Sequence, residues 1–531
     1  MNSDSSEQNP GFDSRFILMI VLIGAVWMGW QSYLAKRYPN HPTPIAATSN
    51  TEAAPTSVAS AMPNMAAPQV LPQATEMTIK YSDPTWSFVV SSRGMAIQDV
   101  KLNKYTSRKN QSITFAQGDG LGLFSTRVLG QAQPLDFKIS QTGNDTFVGK
   151  AQVGAMTITK QIHIDSAKYT FTSEVDVTNP YAGFKGLVTE VADKIPPAVS
   201  GFLRGRFEHQ EFFAEHDDGK TSRTIVSPSK TVNDSYTKGA VAGYGSQYFA
   251  IGILDHSPVM PNIQQWSEPG AEPKAVEQLK YDMFNPAADF KISYTGFAGP
   301  KSYDLLKSIS PEMTGLINFG FFTTIAKGIF WLMKMIHSVI PNWGLAIIVL
   351  TLIVRAIVAP FNILSYRQMR AMARIQPQIK ALRERYKDDT QKLNQEMLQL
   401  MRENKANPIG GCLPMFLQIP IFFALYEVIG QSIELYKAPF GFWIHDLSAK
   451  DPYYIIPILM GVAMWAQQKI TPNTMDPSQQ KIMQFMPLVF TVMTVQLPSG
   501  LTLYIFVSSL FGFLQQYLFT KENKQLSVVR A

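Results

Sequence analysis

Five apolar runs crowd the last third of this chain: Trp343 to Phe361, Leu413 to Ile429, Tyr453 to Gln467, Ile482 to Leu497 and Leu501 to Phe519. A helix needs about 20 apolar residues, each rising about 1.5 Å, to cross a hydrocarbon core about 30 Å thick. Runs of this length, repeated five times, point to a bundle of membrane-spanning helices. An earlier run, "FILMIVLIGAVWMGWQSYLA" from Phe16 to Ala35, is also long enough, and no A-x-A-like cleavage site closes it. It reads as an uncleaved anchor, with a cleaved signal peptide as the alternative. The expectation is therefore six spans.

The rest of the chain is unlike these runs. The sequence is 46% hydrophobic and 16% charged, with 33 Phe and 24 Met, which is oily for a soluble protein. A mean hydropathy near zero must then average over dissimilar parts. Residues 36–76 turn to Pro, Ala, Thr, Ser and Asn, too poor in large apolar side chains to pack a core, and read as a disordered tether. Over residues 77–310 short alternating runs such as "MTITKQIHIDSAKYTFTSEVDV" are separated by Gly, Pro, Asn and Asp, the pattern of an all-β sandwich. "GDGLG" at Gly118 to Gly122 precedes no helical pattern and reads as a turn. Residues 311–340 hold a further apolar segment broken by Lys327 and Lys334. Seven residues apart, the two lysines share one helix face, which fits an amphipathic helix lying in the membrane interface rather than another span. Residues 341–531 form the helical core.

Charge orients the bundle. Residues 363–411 carry ten Lys and Arg, whereas residues 432–452 carry only Lys437 and Lys450. By the positive-inside rule the first loop is cytoplasmic and the second lies outside. Six spans then put both termini in the cytoplasm and the β-domain outside, which in a bacterium is the periplasm. The formal charge of +7 is modest, and no basic block argues for direct nucleic-acid recognition. A single cysteine, Cys412, excludes an intramolecular disulfide.

Inside the run "GLAIIVLTLIVRAIVAPFN" stands Arg355. An arginine at a helix centre costs about 2.5–3.5 kcal/mol on insertion scales. Its stem could snorkel to the headgroups, about seven residues or ~10 Å away. The other spans offer no Asp, and Glu427 lies toward the outer end of its helix. What they do offer is neutral: Thr351 at i−4, Gln418, Ser508, Ser509, Gln515 and Gln516, a set able to line a wet cavity around an unpaired cation or simply to join helices.

The loop at 363–411 reads as two amphipathic helices joined at "KDDT". Met369, Met372, Ile375, Ile379, Leu382 and Tyr386 recur at spacings of three and four, then Leu393, Met397 and Leu400. Ten basic residues, among them Arg367, Arg370, Arg374, Arg383 and Arg385, against five acidic ones suit anionic headgroups or an acidic partner. "NPIGGCLP" then returns the chain to the membrane. Fourteen of the 24 methionines follow residue 312; flexible thioethers suit surfaces that accept many apolar partners, and also fill lipid-embedded helices. There is no H-E-x-x-H or G-x-S-x-G, and the seven His are scattered, so neither a catalytic set, a metal site nor a cofactor is expected.

Five blocks, "LTLIVRAIVAP", "NPIGGCLPMFLQIPIFFALYEVI", "APFGFWIHDLSAKDPYYIIPILMG", "DPSQQKIMQFMPLVFT" and "LPSGLTLYIFVSSLFGFLQQ", resemble in order and spacing the YidC family of membrane protein insertases, Gram-negative branch. The resemblance implies a non-enzymatic membrane protein insertase and chaperone with a five-helix insertase core and a large periplasmic domain. Its clients are nascent inner-membrane proteins, met alone or with the Sec translocon. It implies a hydrophilic groove open to cytoplasm and lipid, with Arg355 as its charge and Thr351, Gln418 and Tyr504 lining it. Phe422, Met460, Met464 and Met493 become the slide for the client's apolar segment, and the cytoplasmic hairpin first meets the nascent chain. The C-terminal "KENKQLSVVRA" is short and barely basic, implying weak ribosome contact. The alternatives are a secondary transporter binding an anionic solute at Arg355, which predicts internal repeats, and a scaffold whose β-domain binds envelope glycans.

Overall fold

The computed structural model describes residues 75–181, 183–197, 209–217, 219–283, 290–387, 389–406, 413–471 and 477–529. The expected anchor at 1–35, nearly all of the tether and the Gly410–Gly411–Cys412 return lie outside the described residues.

Alternation builds the N-terminal domain. In the strand Met156–Asp165 the side chains of Met156, Ile158, Lys160, Ile162 and Ile164 all point inward, as a period of two requires. Among the described residues, eighteen strands of this kind form two nine-stranded antiparallel sheets. The inner faces pack against each other. Trp86 of the first sheet stacks on Phe171 of the second with ring centroids 4.4 Å apart. Lys160 is fully buried in this core, and its ammonium crosses to the first sheet's side. It donates to the carbonyls of Gly94 (3.3 Å), Met95 (3.1 Å) and Phe124 (2.5 Å) and to the Thr126 hydroxyl (3.1 Å). Burial pushes it down to about 7.

The last strand, Phe290–Pro300, leads through α1 (Tyr303–Ile309) and a 3-10 turn at Glu312–Leu316 to α2 (Thr323–Val339). The exit is clamped by charge. Arg223 donates to Glu211 at 2.7 Å and to the carbonyls of Gly315 and Ile317, while Lys301 stands 3.7 Å from Glu211. Together the cations hold the Glu211 carboxyl far below its usual range despite burial. On α2, Ala326, Ile329, Phe330, Met333 and Ile336 are buried, whereas Ile325, Trp331, Met335 and Val339 are exposed. Both lysines face α1: Lys334 pairs with Asp304, and Lys327 lies 5.9 Å from the Tyr303 ring. α2 thus has an inward apolar face, an exposed apolar face and a polar edge.

The core comprises α3 (Trp343–Arg385), α4 (Thr390–Glu403), α5 (Leu413–Gln431), α6 (Ile455–Ile470), α7 (Pro477–Thr494) and α8 (Ser499–Val529). Three of the five apolar runs fall wholly in helices, and the other two overrun theirs by two residues at Tyr453 and three at Leu497. Among the described residues two helices, Trp343–Arg385 and Ser499–Thr520, pass as long and apolar enough to cross a membrane, and Ile455–Ile470 and Met483–Thr494 are shorter apolar helices. The hairpin differs from the expectation in one respect. Its first arm is not a separate helix but the continuation of α3, which runs 43 residues through Pro360 and Pro377. An interior proline removes one hydrogen bond, at about 3 kcal/mol; the remaining ladder and a satellite core of Ile375, Ile379 and Ala406, flanked by Met372, Met397 and Leu400, carry the helix across.

The domain sits on one end of the bundle. Arg108 donates to the Ser448 carbonyl at 2.8 Å and stands 3.7 Å from Asp446, Tyr436 donates to Thr106 at 3.0 Å, and Gln247 donates to the Gly430 carbonyl. This contact closes the bundle end farther from the hairpin.

Candidate functional site

Arg355 lies on α3, where Gly344, Ile347, Leu350 and Thr351 form the buried stripe that phases the helix. One turn on from Thr351, the guanidinium reaches across to α8. Its Nε donates to the Ser508 hydroxyl at 2.7 Å, and Nη2 donates to the same oxygen. A guanidinium has five N–H donors. Two are used on Ser508, and three find no protein acceptor among the described residues. Nor does any carboxylate among the described residues stand within ion-pairing distance. A cation so placed is only partly compensated.

One turn before Ser508 on α8, Tyr504 is almost fully buried, and its hydroxyl accepts a 2.8 Å hydrogen bond from Gln418 Nε2 of α5. Arg355, Gln418 and Tyr504 thus meet where α3, α5 and α8 converge. Thr351 does not join them. It is fully buried, and its hydroxyl donates to the Ile347 carbonyl of its own helix at 2.6 Å, the usual way a threonine satisfies itself in an apolar helix. Thr351 closes the site on the β-domain side instead of lining it.

Polar side-chain contacts also run from Arg355 in the other direction. Seven residues on, buried Asn362 donates to Gln515 Oε1 at 3.4 Å, and eight further on Arg370 donates to the Phe519 carbonyl at 2.8 Å. Gln516 donates to Thr471 Oγ1 at 3.0 Å and ties α8 to α6. Ser508 and Gln515 were visible in the sequence as neutral hydrogen bonders; Asn362 and fully buried Ser365 were missed as site residues. The available signal was the seven-residue step from Arg355, which keeps Asn362 on the same helix face.

The four slide residues do not share one environment. Phe422 is half-buried and stacks on Tyr426 with centroids 6.2 Å apart, Met464 is half-buried, and Met493 is exposed. Met460 is fully buried. With Ile456 and Ala463 it forms the buried stripe of α6 that packs on α8, so it presents no surface. The spacing of 456, 460 and 463 sets that face, and Met464 lies one residue around it. Of the hairpin arginines, Arg367, Arg374, Arg383 and Arg385 are exposed, and Arg370 turns inward to α8. Among the described residues no group of three or more His, Cys, Asp or Glu could hold a metal ion.

With this geometry in hand, comparison with known proteins is direct. Residues 78–332 match the family described as "YidC periplasmic domain", and residues 335–526 the one described as "60Kd inner membrane protein". The chain is 31% identical over 541 residues to a "Membrane protein insertase YidC" of Tolumonas auensis, covering 96% of this chain and 97% of that one. A protein of the same name from Geobacter sulfurreducens is 32% identical over 468 residues, covering 84% and 86%. One from Francisella philomiragia is 46% identical over 431 residues, covering 77% of each. The site with its single arginine, the helical core around it and the all-β domain set on one end therefore belong together: this chain is a member of the YidC family of inner-membrane proteins.

Proposed function

We propose that the chain is a membrane protein insertase and chaperone of the bacterial inner membrane, acting on nascent inner-membrane proteins alone or with the Sec translocon. The observation that carries this reading is the Arg355 guanidinium, held on one serine hydroxyl with three N–H donors unused and no carboxylate beside it among the described residues. An incoming acidic or polar segment supplies what the protein leaves out. Polar groups at Asn362, Gln515 and Arg370 lead toward the hairpin end, the route by which such a segment enters from the cytoplasm. Phe422, Met464 and Met493 offer apolar surface to the client's membrane segment, whose transfer into lipid at about 25 cal/mol per Å² drives release without a nucleotide.

In this reading residues 1–35 are an anchor, 36–76 a tether, 77–310 the periplasmic domain, 311–340 the interfacial helix and 341–531 the core, with six spans and both termini cytoplasmic. The exposed hairpin arginines meet anionic lipid headgroups and the emerging chain, and ribosome contact through the tail is weak. The family relationship favours insertion over the transport of an anionic solute.

The test is insertion of a small single-span protein with an acidic translocated tail into proteoliposomes, scored by protease protection. Wild type and Arg355→Lys insert, and Arg355→Ala loses at least tenfold in rate, the equivalent of about 1.4 kcal/mol. Equal insertion by all three variants overturns the working charge and returns Arg355 to a snorkelling role.

A further inference from the structure

The second sheet of the β-domain has an outer face that the insertase reading leaves unused. On it the strands Thr146–Val153, Met156–Asp165, Thr170–Thr178 and Phe290–Pro300 lie side by side or one strand apart. Because Ile162, Ile164, Phe171 and Tyr294 point into the core, the alternate residues His163, Asp165, Thr170, Thr172 and Thr295 point out. Register gathers them: His163 lies opposite Thr172, Thr172 opposite Thr295, and Asp165 opposite Thr170. Hydroxyls, an imidazole and a carboxylate are thereby laid in two adjoining cross-strand rows.

Loops raise walls around these rows and border an open cleft of about 630 Å³, within the 300–1,000 Å³ of small-molecule sites. The Tyr81 hydroxyl stands at one wall, 3.1 Å from Asp83, 3.2 Å from Asp145 and 3.2 Å from Ser166. Asp83 is fixed in turn by the backbone N–H groups of Thr85 (2.6 Å) and Trp86 (2.9 Å). The wall is thus pre-organised. The floor is not satisfied. Thr170 is only 4% exposed and lines the cavity, yet its hydroxyl makes no hydrogen bond among the described residues. The hydroxyl's open side is the cleft, where a ligand or water completes its hydrogen bonding.

The lining selects the chemistry. Three aspartates, Asp83, Asp145 and Asp165, face one Lys168, so phosphate and other anions are disfavoured. Apolar residues in the lining are few, namely Ile309, the Tyr81 ring and Ile164, whose side chain turns into the core, so an acyl chain gains little. What matches alternating carboxylates and hydroxyls is a ring whose substituents both donate and accept, and an amine on that ring answers the negative balance. We infer that this cavity is a saccharide-binding site that takes a hydroxyl-rich ring and prefers one bearing an amino group.

The test uses the full chain in lipid nanodiscs, which avoids sugar-headed detergents, with saturation-transfer NMR and calorimetry. The probes are glucosamine, glucose, n-butylamine and inorganic phosphate. Glucosamine is expected to bind saturably with a millimolar dissociation constant, the scale for a ligand of about a dozen atoms. Glucose should bind more weakly and phosphate not at all. Asp165→Asn and Thr172→Val each weaken glucosamine at least fivefold with unchanged melting curves, and Asp145→Asn serves the same purpose if the Asp165 variant does not fold. The inference is overturned if neither sugar saturates, if butylamine binds as well as glucosamine, or if the folded variants bind like wild type.

Discussion

Lys160 allows the sharpest quantitative test of the β-domain, because a single buried charge sets a predictable slope of stability with pH. Its ammonium is fully buried and lowered from 10.5 to about 7. Below about pH 7 the group is protonated in both native and unfolded chains. Between about 7 and 10.5 the unfolded chain still binds the proton and the native one does not, so stability rises with pH across that window. The slope of a fully developed one-proton difference is about 1.4 kcal/mol per pH unit. Other groups must be kept apart from it. Glu277 acts only up to about pH 8, Tyr294 above about 10, and Lys301, lowered to about 8, acts in the same direction as Lys160. Comparison of wild type with Lys160→Met between pH 8 and 10 cancels all three. Methionine keeps the stem and removes the charge, while leaving the Met95 and Phe124 carbonyls with less satisfaction, a cost of about 1–3 kcal/mol each. Wild type should therefore gain up to about 3 kcal/mol on the variant from pH 8 to pH 10. Urea-dependent pulse proteolysis of the full chain, read on fragments of the β-domain, measures the difference. If the two curves run parallel over that range, the ammonium is not what titrates and the carbonyl cage holds it charged throughout.

Glu277 provides the opposite sign. Burial raises it to about 8, so its contribution is complete below its unfolded value near 4.5 and is lost as pH rises to about 8. Glu277→Gln, which imitates the protonated acid, should match wild type at pH 4.5 and exceed it by roughly 3–5 kcal/mol at pH 8.5 in the same proteolysis assay. In the helical core, a Cβ at Gly461 would lie 2.1 Å from the Thr491 hydroxyl. Gly461→Leu should therefore separate α6 from α7 at a cost of about 1–3 kcal/mol. A fall of several degrees in the melting temperature of the solubilised protein, partly restored when Gly461→Leu is paired with Thr491→Ala, is the expected outcome.

The two halves of the molecule were unequally legible. Alternation in "MTITKQIHID" fixed an inward face, and it put Lys160 on that face as the single break in pattern. What the break means could not be read, because its acceptors come from Gly94, Met95, Phe124 and Thr126, brought near only by folding. The saccharide cavity was hidden for the same reason. Its rows exist only once register sets His163 beside Thr172 and Thr172 beside Thr295. In the core, periodicity located the helices but not their phase. Four methionine and phenylalanine positions looked equivalent until helix packing turned Met460 inward and left Met493 exposed. The boundary drawn at residue 363 likewise failed to show that α3 runs on through Pro377.

For Arg355 the charge was legible and its cost calculable, while its partner was one choice among several hydroxyls and amides. The structure gives Ser508 that role and adds a direction no local pattern contains. On the β-domain side the helix is closed by Thr351, Leu350 and Ile347, all fully buried, and beyond them Arg108, Tyr436 and Gln247 bind the domain over the bundle end. On the hairpin side the same seam carries Asn362, Gln515 and Arg370 in polar contacts. In the proposed reading, a polar segment approaching Arg355 from the hairpin side finds partners at Arg370, Gln515 and Asn362, whereas beyond it the hydroxyls of Thr351 and Thr502 are already committed to their own helices. In the proposed insertase reading, the single arginine between this polar seam and the closed end of the bundle is where the client's polar segment stops, and the segment's own acceptors complete the guanidinium that Ser508 satisfies only in part.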